Sequence, residues 1–202
     1  MKLTEIRKKD FQKAIQFAIT GMHFDWYFEN PFLLKLYGSY FWYQEISRAT
    51  QIIAAYHESE LVGVLLADMK GEEKKYRSFW GNVYIKLFDL IQNTFFQKSA
   101  GAYHKANRNM FEEYRSNHSP DGEIIFLAAD PDRKEKGIGS RLLSELARRE
   151  IGKKVYLYTD NACTYQFYEH RGFERSCERE IMMDMGNKKV PLTCFLYSKT
   201  LV

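Results

Sequence analysis

The sequence has little cysteine, no long apolar run and little net charge, and each shortage excludes a class of protein. Its 202 residues include only three cysteines, Cys163, Cys177 and Cys194. They are widely spaced and form no pair typical of a disulfide framework or a structural zinc site, so no metal is expected. The longest unbroken apolar run is Ile124 to Ala129, whereas a membrane-spanning helix needs roughly 20 apolar residues. We therefore expect a cytoplasmic protein without membrane association.

The net charge of +4 is small, but it is unevenly placed. Residues 132–154 contain 8 basic and 4 acidic side chains, and this excess of four equals the charge of the whole chain. A local basic excess indicates an anionic partner, although the total is too mild to indicate a nucleic-acid-binding protein by itself. The length predicts a single domain over 1–202.

The first half of the chain alternates helical and β-type patterns. A short strand at 2–7 precedes a helix that begins after Asp10 and ends at Gly21. Ten of the 20 residues in 24–43 are aromatic, and Pro31 and Gly38 predict that this stretch forms two short helical pieces. Runs 51–56 and 61–69 predict a hairpin, and a helical insertion follows at about 70–121.

The second half has the order expected of a crossover between parallel strands. Glu123 to Ala129 predicts a buried strand, Ile138 begins an amphipathic helix, and Val155 to Thr159 predicts a second strand. A short helix at 164–170 and two β runs, 173–185 and 191–201, complete an α/β fold.

A glycine-containing loop, Lys136-Gly137-Ile138-Gly139-Ser140, joins the first of these strands to the helix. Helix N-termini attract anions, and glycines allow the backbone to approach a phosphate closely. A dinucleotide fingerprint needs a third glycine where Leu142 stands, and a Walker loop needs a lysine directly before Ser140. The loop therefore predicts a pyrophosphate-sized site of another kind.

The segment DPDRKEKGIGSRLLSEL resembles the acyl-CoA-binding loop of the GNAT superfamily of N-acetyltransferases. Gly137 and Gly139 match the family glycines, Lys134 stands where arginine or glutamine is usual, and Glu135 replaces a common glycine. A second segment, NACTYQFYEHRGF, resembles the family pattern of an asparagine, a short helix with an aromatic–tyrosine pair, and a glycine–phenylalanine turn.

The resemblance implies an α/β fold with a mixed, mostly antiparallel sheet flanked by helices. A parallel β-α-β crossover would lie at the coenzyme A site, and the helical insertion would be an addition to it. It also implies transfer of an acetyl group from acetyl-CoA to a primary amine by direct attack. The acceptor would be a small molecule or a peptide amine, and the protein could form a homodimer.

The resemblance further implies which residues form the site. Tyr168 is predicted as the general acid that protonates the leaving thiolate, and Glu123 as the general base. The predicted cofactor-binding residues are Leu127, Ala128, Ala129, Lys134, Glu135, Lys136, Gly137, Ile138, Gly139, Ser140, Asn161, Phe167 and Arg171. For Asn161 two partners are open, the pantetheine arm of the cofactor or the neighbouring strand.

Three alternatives stay open at this point. The aromatic stretch 24–43 either forms a wall of the acceptor pocket, which would favour an apolar or aromatic amine, or belongs to the core or a dimer interface. The insertion at 70–121 could cover the acceptor side. A non-catalytic, CoA-binding regulatory module and, less favoured, a nucleic-acid-binding protein are the rivals to an enzyme.

Overall fold

A mixed seven-stranded sheet forms the centre of the molecule. The structure is a computed structural model that describes residues 1–26, 28, 30–95, 97–133, 136–184 and 189–202, with only the backbone at 91–95, 97–100 and 184. The strands are β1 (Lys2–Thr4), β2 (Gln51–His57), β3 (Glu60–Met69), β4 (Gly122–Ala129), β5 (Lys154–Asp160), β6 (Glu174–Asp184) and β7 (Lys189–Thr200). Their order is β1-β2-β3-β4-β5-β7-β6. All neighbouring strands are antiparallel except β4 and β5, which are parallel.

Helices connect the strands and cover both faces of the sheet. In the described residues they are α1 (Phe11–Gly21), α2 (Pro31–Arg48), α3 (Phe79–Phe95), α4 (Gln97–Asn117), α5 (Ile138–Arg149) and α6 (Gln166–Glu169). Single turns of 3-10 helix lie at Lys8–Asp10 and Phe24–Trp26. The predicted fold class is confirmed, including the parallel crossover through α5 and the two helices between β3 and β4.

The side chains of the central strands alternate between two cores. On β2, Ile52 and Ala54 pack with α1 and α2, whereas Ile53 and Ala55 pack with α5. This alternation follows from the two-residue period of a strand, and it explains why β2 and β3 are apolar on both faces. A third core joins α4 to β6 and β7.

Helix α2 is continuous, and the prediction of a break at Gly38 is wrong. Pro31 begins the helix instead of interrupting it, and the Asn30 side chain caps it by accepting a hydrogen bond from the Phe32 amide at 2.9 Å. At Gly38 a Cβ atom would lie only 2.7 Å from Ile19 Cγ1 on α1. The glycine is therefore required for the close approach of α1 and α2, which outweighs its low helix propensity.

None of the helices in the described part of the chain has the length and apolar character needed to cross a membrane.

Substitution of Gly38 by leucine tests the close packing of α1 and α2. We expect Gly38→Leu to lower the free energy of unfolding by about 2 kcal/mol, because the new side chain overfills the contact with Ile19. Gly101→Leu in α4 is the matched control, since a Cβ there has no neighbour within 4 Å. It should be neutral or stabilising in urea denaturation, and equal stability of the two variants would contradict this account of Gly38.

Candidate active site

The site begins where the two parallel strands separate. β4 and β5 pair only at Gly122 with Val155 and at Glu123 with Tyr156. Beyond this point β4 continues to Ala129 and β5 to Asp160 without pairing to each other. A cavity of about 860 Å³ occupies the opening. Residues 124–129 of β4 line it over roughly 17 Å, at the rise of an extended strand.

The glycine loop forms one end of the cavity. Gly137 has a left-handed backbone (φ 88°) and directly precedes α5, so the loop turns sharply into the helix. Gly137, Ile138 and Gly139 line the cavity, and the free amides of the first helical turn lie at this end. A Cβ atom on Gly139 would lie 3.1 Å from the Phe167 ring. The glycine therefore allows Phe167 of α6 to pack against the loop.

The predicted cofactor-binding residues are largely gathered around this cavity. Its lining includes Leu127, Ala128, Ala129, Gly137, Ile138, Gly139 and Phe167. Lys136, Ser140 and Arg171 lie beside it: the Arg171 guanidinium donates a hydrogen bond to Ser140 Oγ and stands 5.7 Å from the Phe167 ring centroid. Lys134 and Glu135 are outside the described residues. For all of these positions a role in cofactor binding stays a prediction.

Asn161 is occupied by the neighbouring strand. Its side-chain oxygen accepts a hydrogen bond from the backbone amide of Thr193 at 3.0 Å, and its backbone amide donates a hydrogen bond to the Thr193 carbonyl. Asn161 is not among the described residues that line the cavity. Of its two predicted partners, the structure shows the strand, and a contact with a cofactor stays a prediction.

Tyr168 lines the cavity from α6. Its ring contacts Phe167, Phe173 and Tyr197, with centroid distances of 5.3, 5.7 and 6.3 Å, which fix its position. The hydroxyl has no hydrogen-bond partner among the described protein residues and is therefore available to a ligand. Burial, with a smaller effect of the nearby Cys163, raises the pKa of Tyr168, so the phenol is protonated at neutral pH.

Glu123 is not among the residues that line the cavity, and two other side chains bind its carboxylate. Arg48 forms an ion pair with its carboxylate, and the Tyr156 hydroxyl donates to it at 3.3 Å. Burial raises the pKa of Glu123, and Arg48 opposes this effect. Its role as general base stays a prediction, but the carboxylate would have to leave Arg48 to reach a ligand.

The other end of the cavity is aromatic. Phe24, Phe28, Tyr37, Tyr40 and Phe41 line it, whereas Trp42 of the same stretch is fully buried in the core. Of the alternatives for the stretch 24–43, a pocket wall therefore fits the first five residues, and a place in the core fits Trp42. From α4, Tyr103 and His104 also line the cavity, so the segment between β3 and β4 supplies part of its wall.

Glu45 is a cavity residue that the sequence analysis missed. It is only 8% exposed and accepts a hydrogen bond from Arg48 at 3.2 Å. Burial raises the pKa of Glu45 to about 7; Arg48 opposes the shift, and the carboxylates of Glu123 and Asp68 add to it. Its position four residues after Phe41 would have placed it on the cavity face if α2 had been treated as continuous.

Several residues of the basic segment 132–154 are neutralised by neighbouring carboxylates. Arg148 and Arg149 both pair with Glu145 at 2.9 Å. Lys153 pairs with Glu150 at 2.6 Å, and Arg133 pairs with Glu60. These pairs leave less free positive charge for nucleic-acid phosphates than the sequence implied.

Comparison with known families gives one match within the chain. Residues 103–175 match the family model described as the acetyltransferase (GNAT) domain. The match begins in α4 and extends through β4, the glycine loop and α6 into the start of β6. No curated protein matches the chain.

Solved structures with the same fold cover nearly the whole chain at low identity. The ribosomal-protein-alanine N-acetyltransferase from Brucella melitensis is 15% identical with a TM-score of 0.53, covering 100% of both chains. The PaiA N-acetyltransferase from Thermoplasma acidophilum, in complex with coenzyme A, is 14% identical with a TM-score of 0.53, covering 98% of each chain. Naa50 from Arabidopsis thaliana, in complex with the bisubstrate analogue CoA-Ac-MVNAL, is 16% identical with a TM-score of 0.50, covering 98% of this chain and 97% of its own.

The resemblance to the GNAT superfamily is thereby confirmed. The chain has the GNAT fold, and the matched segment contains the glycine loop and Tyr168. The family match supports an acyltransferase.

The shifted pKa of Glu45 predicts a pH dependence of stability. Because the pKa of its carboxyl rises on folding, the folded state binds more protons than the unfolded state between about pH 5 and pH 7, and stability must fall as the pH rises. We expect the unfolding free energy of the wild type to fall, relative to Glu45→Gln, by about 2 kcal/mol over this range. Urea denaturation at several pH values measures it, and parallel pH profiles of the two proteins would contradict the shift.

Proposed function

We propose that this protein is an N-acetyltransferase that uses acetyl-CoA and a primary amine acceptor. One observation carries the proposal: a single cavity joins a phosphate-type glycine loop, the unpaired edge of β4, the Tyr168 hydroxyl and an aromatic pocket. A long polyanionic cofactor and a small acceptor can meet in such a cavity at one point. Neighbours with this fold have been solved with coenzyme A or a CoA-containing analogue.

The residues present fit a coenzyme A molecule along this cavity. The helix N-terminus at Gly137 to Ser140 would bind the pyrophosphate through its amides, and a Cβ built on Gly137 has open space around it. The edge of β4 from Ile124 to Ala129 lacks its β5 ladder and can bond to the amides of the pantetheine arm. Lys136 and Arg171 would add positive charge at the rim.

The chemistry assigned to this chain is proton transfer and orientation. Acetyl-CoA supplies a thioester carbonyl, which the acceptor nitrogen attacks, and the carbon–sulfur bond breaks. The Tyr168 hydroxyl would give its proton to the departing sulfur. Its raised pKa keeps it protonated at neutral pH, and none of the described protein residues accepts a hydrogen bond from it. The nitrogen attacks as the neutral amine and then loses one proton, which returns through solvent to the Tyr168 phenolate, so the products are an amide and free coenzyme A.

A thiol-release assay with acetyl-CoA and a panel of primary amines tests this function. The panel includes small amines and peptide N-termini, because the neighbours named above include a ribosomal-protein-alanine N-acetyltransferase and a complex with a peptide-containing analogue. Amine-dependent release of coenzyme A supports the proposal. Coenzyme A binding without turnover on any amine would favour the regulatory module, and steeply salt-dependent nucleic-acid binding without coenzyme A binding would favour the second rival.

Removal of the Tyr168 hydroxyl tests its role as the acid. Tyr168→Phe should lower kcat by about 100-fold and leave the acetyl-CoA affinity nearly unchanged, because the ring contacts that position α6 remain. Tyr165→Phe is the matched control: this ring lies 5.0 Å from Phe195 and is not among the described cavity residues, so kcat should be retained. An unchanged kcat in Tyr168→Phe would remove Tyr168 as the acid.

A negative charge in the glycine loop tests the phosphate site. Gly139→Asp should weaken coenzyme A binding more than about tenfold in calorimetry, because the carboxylate repels phosphate and its Cβ crowds Phe167. Ser144→Asp adds the same charge on the exposed side of α5 and should bind normally. Equal affinities for the two variants would exclude the loop as the phosphate site.

A further inference from the structure

One face of α2 changes from aromatic to acidic along its length. Tyr37, Tyr40, Phe41, Gln44 and Glu45 all line the cavity. They are separated by three, four, seven and eight residues from Tyr37, so they share one helix face. An apolar surface therefore leads directly to a carboxylate.

The aromatic part of this face is surrounded by further rings. The Tyr37 ring centroid lies 4.8 Å from that of Phe24 and 5.0 Å from that of Phe28. Phe41 lies 5.2 Å from Phe24 and contacts Phe126 of β4. These side chains form walls suited to a flat apolar group, and the ring faces also favour a neighbouring cation.

The charges around Glu45 do not balance. Glu45 and Glu123 share one guanidinium, that of Arg48. The next carboxylate, Asp68, is paired with Lys74 at 2.6 Å. Tyr37 and Tyr40 also lie within electrostatic range of Glu45, and burial raises the pKa of both phenols, so they stay neutral. With Glu45 ionised, the two largely buried carboxylates and the partly exposed Arg48 carry a net charge of −1, and burial of an unbalanced charge is costly.

The other carboxylates of the cavity already have partners. Asp130 pairs with Lys13 at 2.9 Å and accepts a hydrogen bond from the Asp132 backbone amide. Asp160 accepts hydrogen bonds from the Ala162 backbone amide at 2.9 Å and from the Tyr103 hydroxyl at 3.3 Å. Among the described lining residues, Glu45 is therefore the carboxylate that a cationic ligand would complete best.

We propose that the acceptor is a primary amine carried on a flat apolar group, and that Glu45 binds its ammonium. This inference rests on the proposed function and names the acceptor class of the same site. The apolar group lies between the rings of Phe24, Phe28, Tyr37 and Phe41, and the ammonium supplies the positive charge that the Glu45, Arg48 and Glu123 group lacks. The bound ammonium loses one proton to solvent before its nitrogen attacks the thioester.

The proposal predicts which amines are excluded. An amino acid such as phenylalanine carries the same ring but adds a carboxylate, which Glu45 and Glu123 repel. A polyamine such as spermidine brings further ammonium groups but no flat apolar group to fill the space between the rings. Both should bind more weakly than 2-phenylethylamine.

Calorimetry with 2-phenylethylamine and its neutral isostere 2-phenylethanol tests the ammonium site. Titrations use the protein saturated with coenzyme A at about pH 8, where Glu45 is ionised. The wild type should bind the amine at least about tenfold more tightly than the alcohol, since a charged pair is lost in the alcohol. Glu45→Gln should weaken amine binding by about tenfold and leave alcohol binding within about twofold.

Glu150→Gln is the matched control. Glu150 is a buried carboxylate paired with Lys153 and does not line the cavity, so both affinities should be retained. An unchanged preference for the amine in Glu45→Gln, an equal loss in Glu150→Gln, or tighter binding of phenylalanine or spermidine would overturn the inference. So would a wild type that binds coenzyme A but none of these ligands. Failure of coenzyme A itself to bind would instead contradict the proposed function on which the inference rests.

Discussion

The separation of β4 from β5 is the constraint on which the rest of the site depends. Two paired positions, Gly122 with Val155 and Glu123 with Tyr156, hold the strands together. Beyond them, the backbone of β4 has no partner on its β5 side among the described residues. Buried backbone amides and carbonyls need hydrogen bonds, so an open strand edge inside a protein requires water or a ligand. The cavity follows directly from this geometry. Helix α5 flanks it because it connects β4 to β5, and α6 flanks it because it follows the end of β5.

The two ends of the cavity differ in charge, and the difference comes from the elements that form them. The end at Gly137 is the start of α5, where free amides and the helix dipole favour an anion. At the end near Glu45, this lining carboxylate shares the guanidinium of Arg48 with Glu123, which lies outside the lining, and the excess of negative charge favours a cation. In such a cavity the phosphates of a cofactor would lie at the first end, and the ammonium of an acceptor would lie at the second. Tyr168 lines the same cavity, and its hydroxyl has no hydrogen-bond partner among the described protein residues.

Much of this arrangement was predictable from sequence because it is local. The glycine loop, the helix after it and the parallel crossover lie within about forty residues, and each leaves a clear pattern. Gly137, Gly139, Phe167 and Tyr168 all line one cavity. Phe167 and Tyr168 were predicted from the resemblance to the GNAT superfamily alone, and their roles stay predictions. Asn161 was less well determined, because hydrogen bonding to the Thr193 backbone depends on a strand more than thirty residues away.

The position of Glu45 at the cavity was not predicted, because it depends on tertiary packing. Glycine normally weakens a helix, so Gly38 indicated a break in α2. In the structure the contact with Ile19 requires a glycine there, and the helix continues to Arg48. Only a continuous helix brings Glu45 onto the same face as Phe41. Likewise, the sequence could not show that Arg48 holds Glu123, since that ion pair joins residues 75 positions apart.

The most direct measurement of the central claim is a crystal structure of the protein with coenzyme A. The separation of the strands predicts that the pantetheine arm lies along residues 124–129 of β4, with the pyrophosphate at the amides of 137–140 and the sulfur next to the Tyr168 hydroxyl. Coenzyme A bound at another surface, or β4 and β5 found paired along their whole length, would contradict the account.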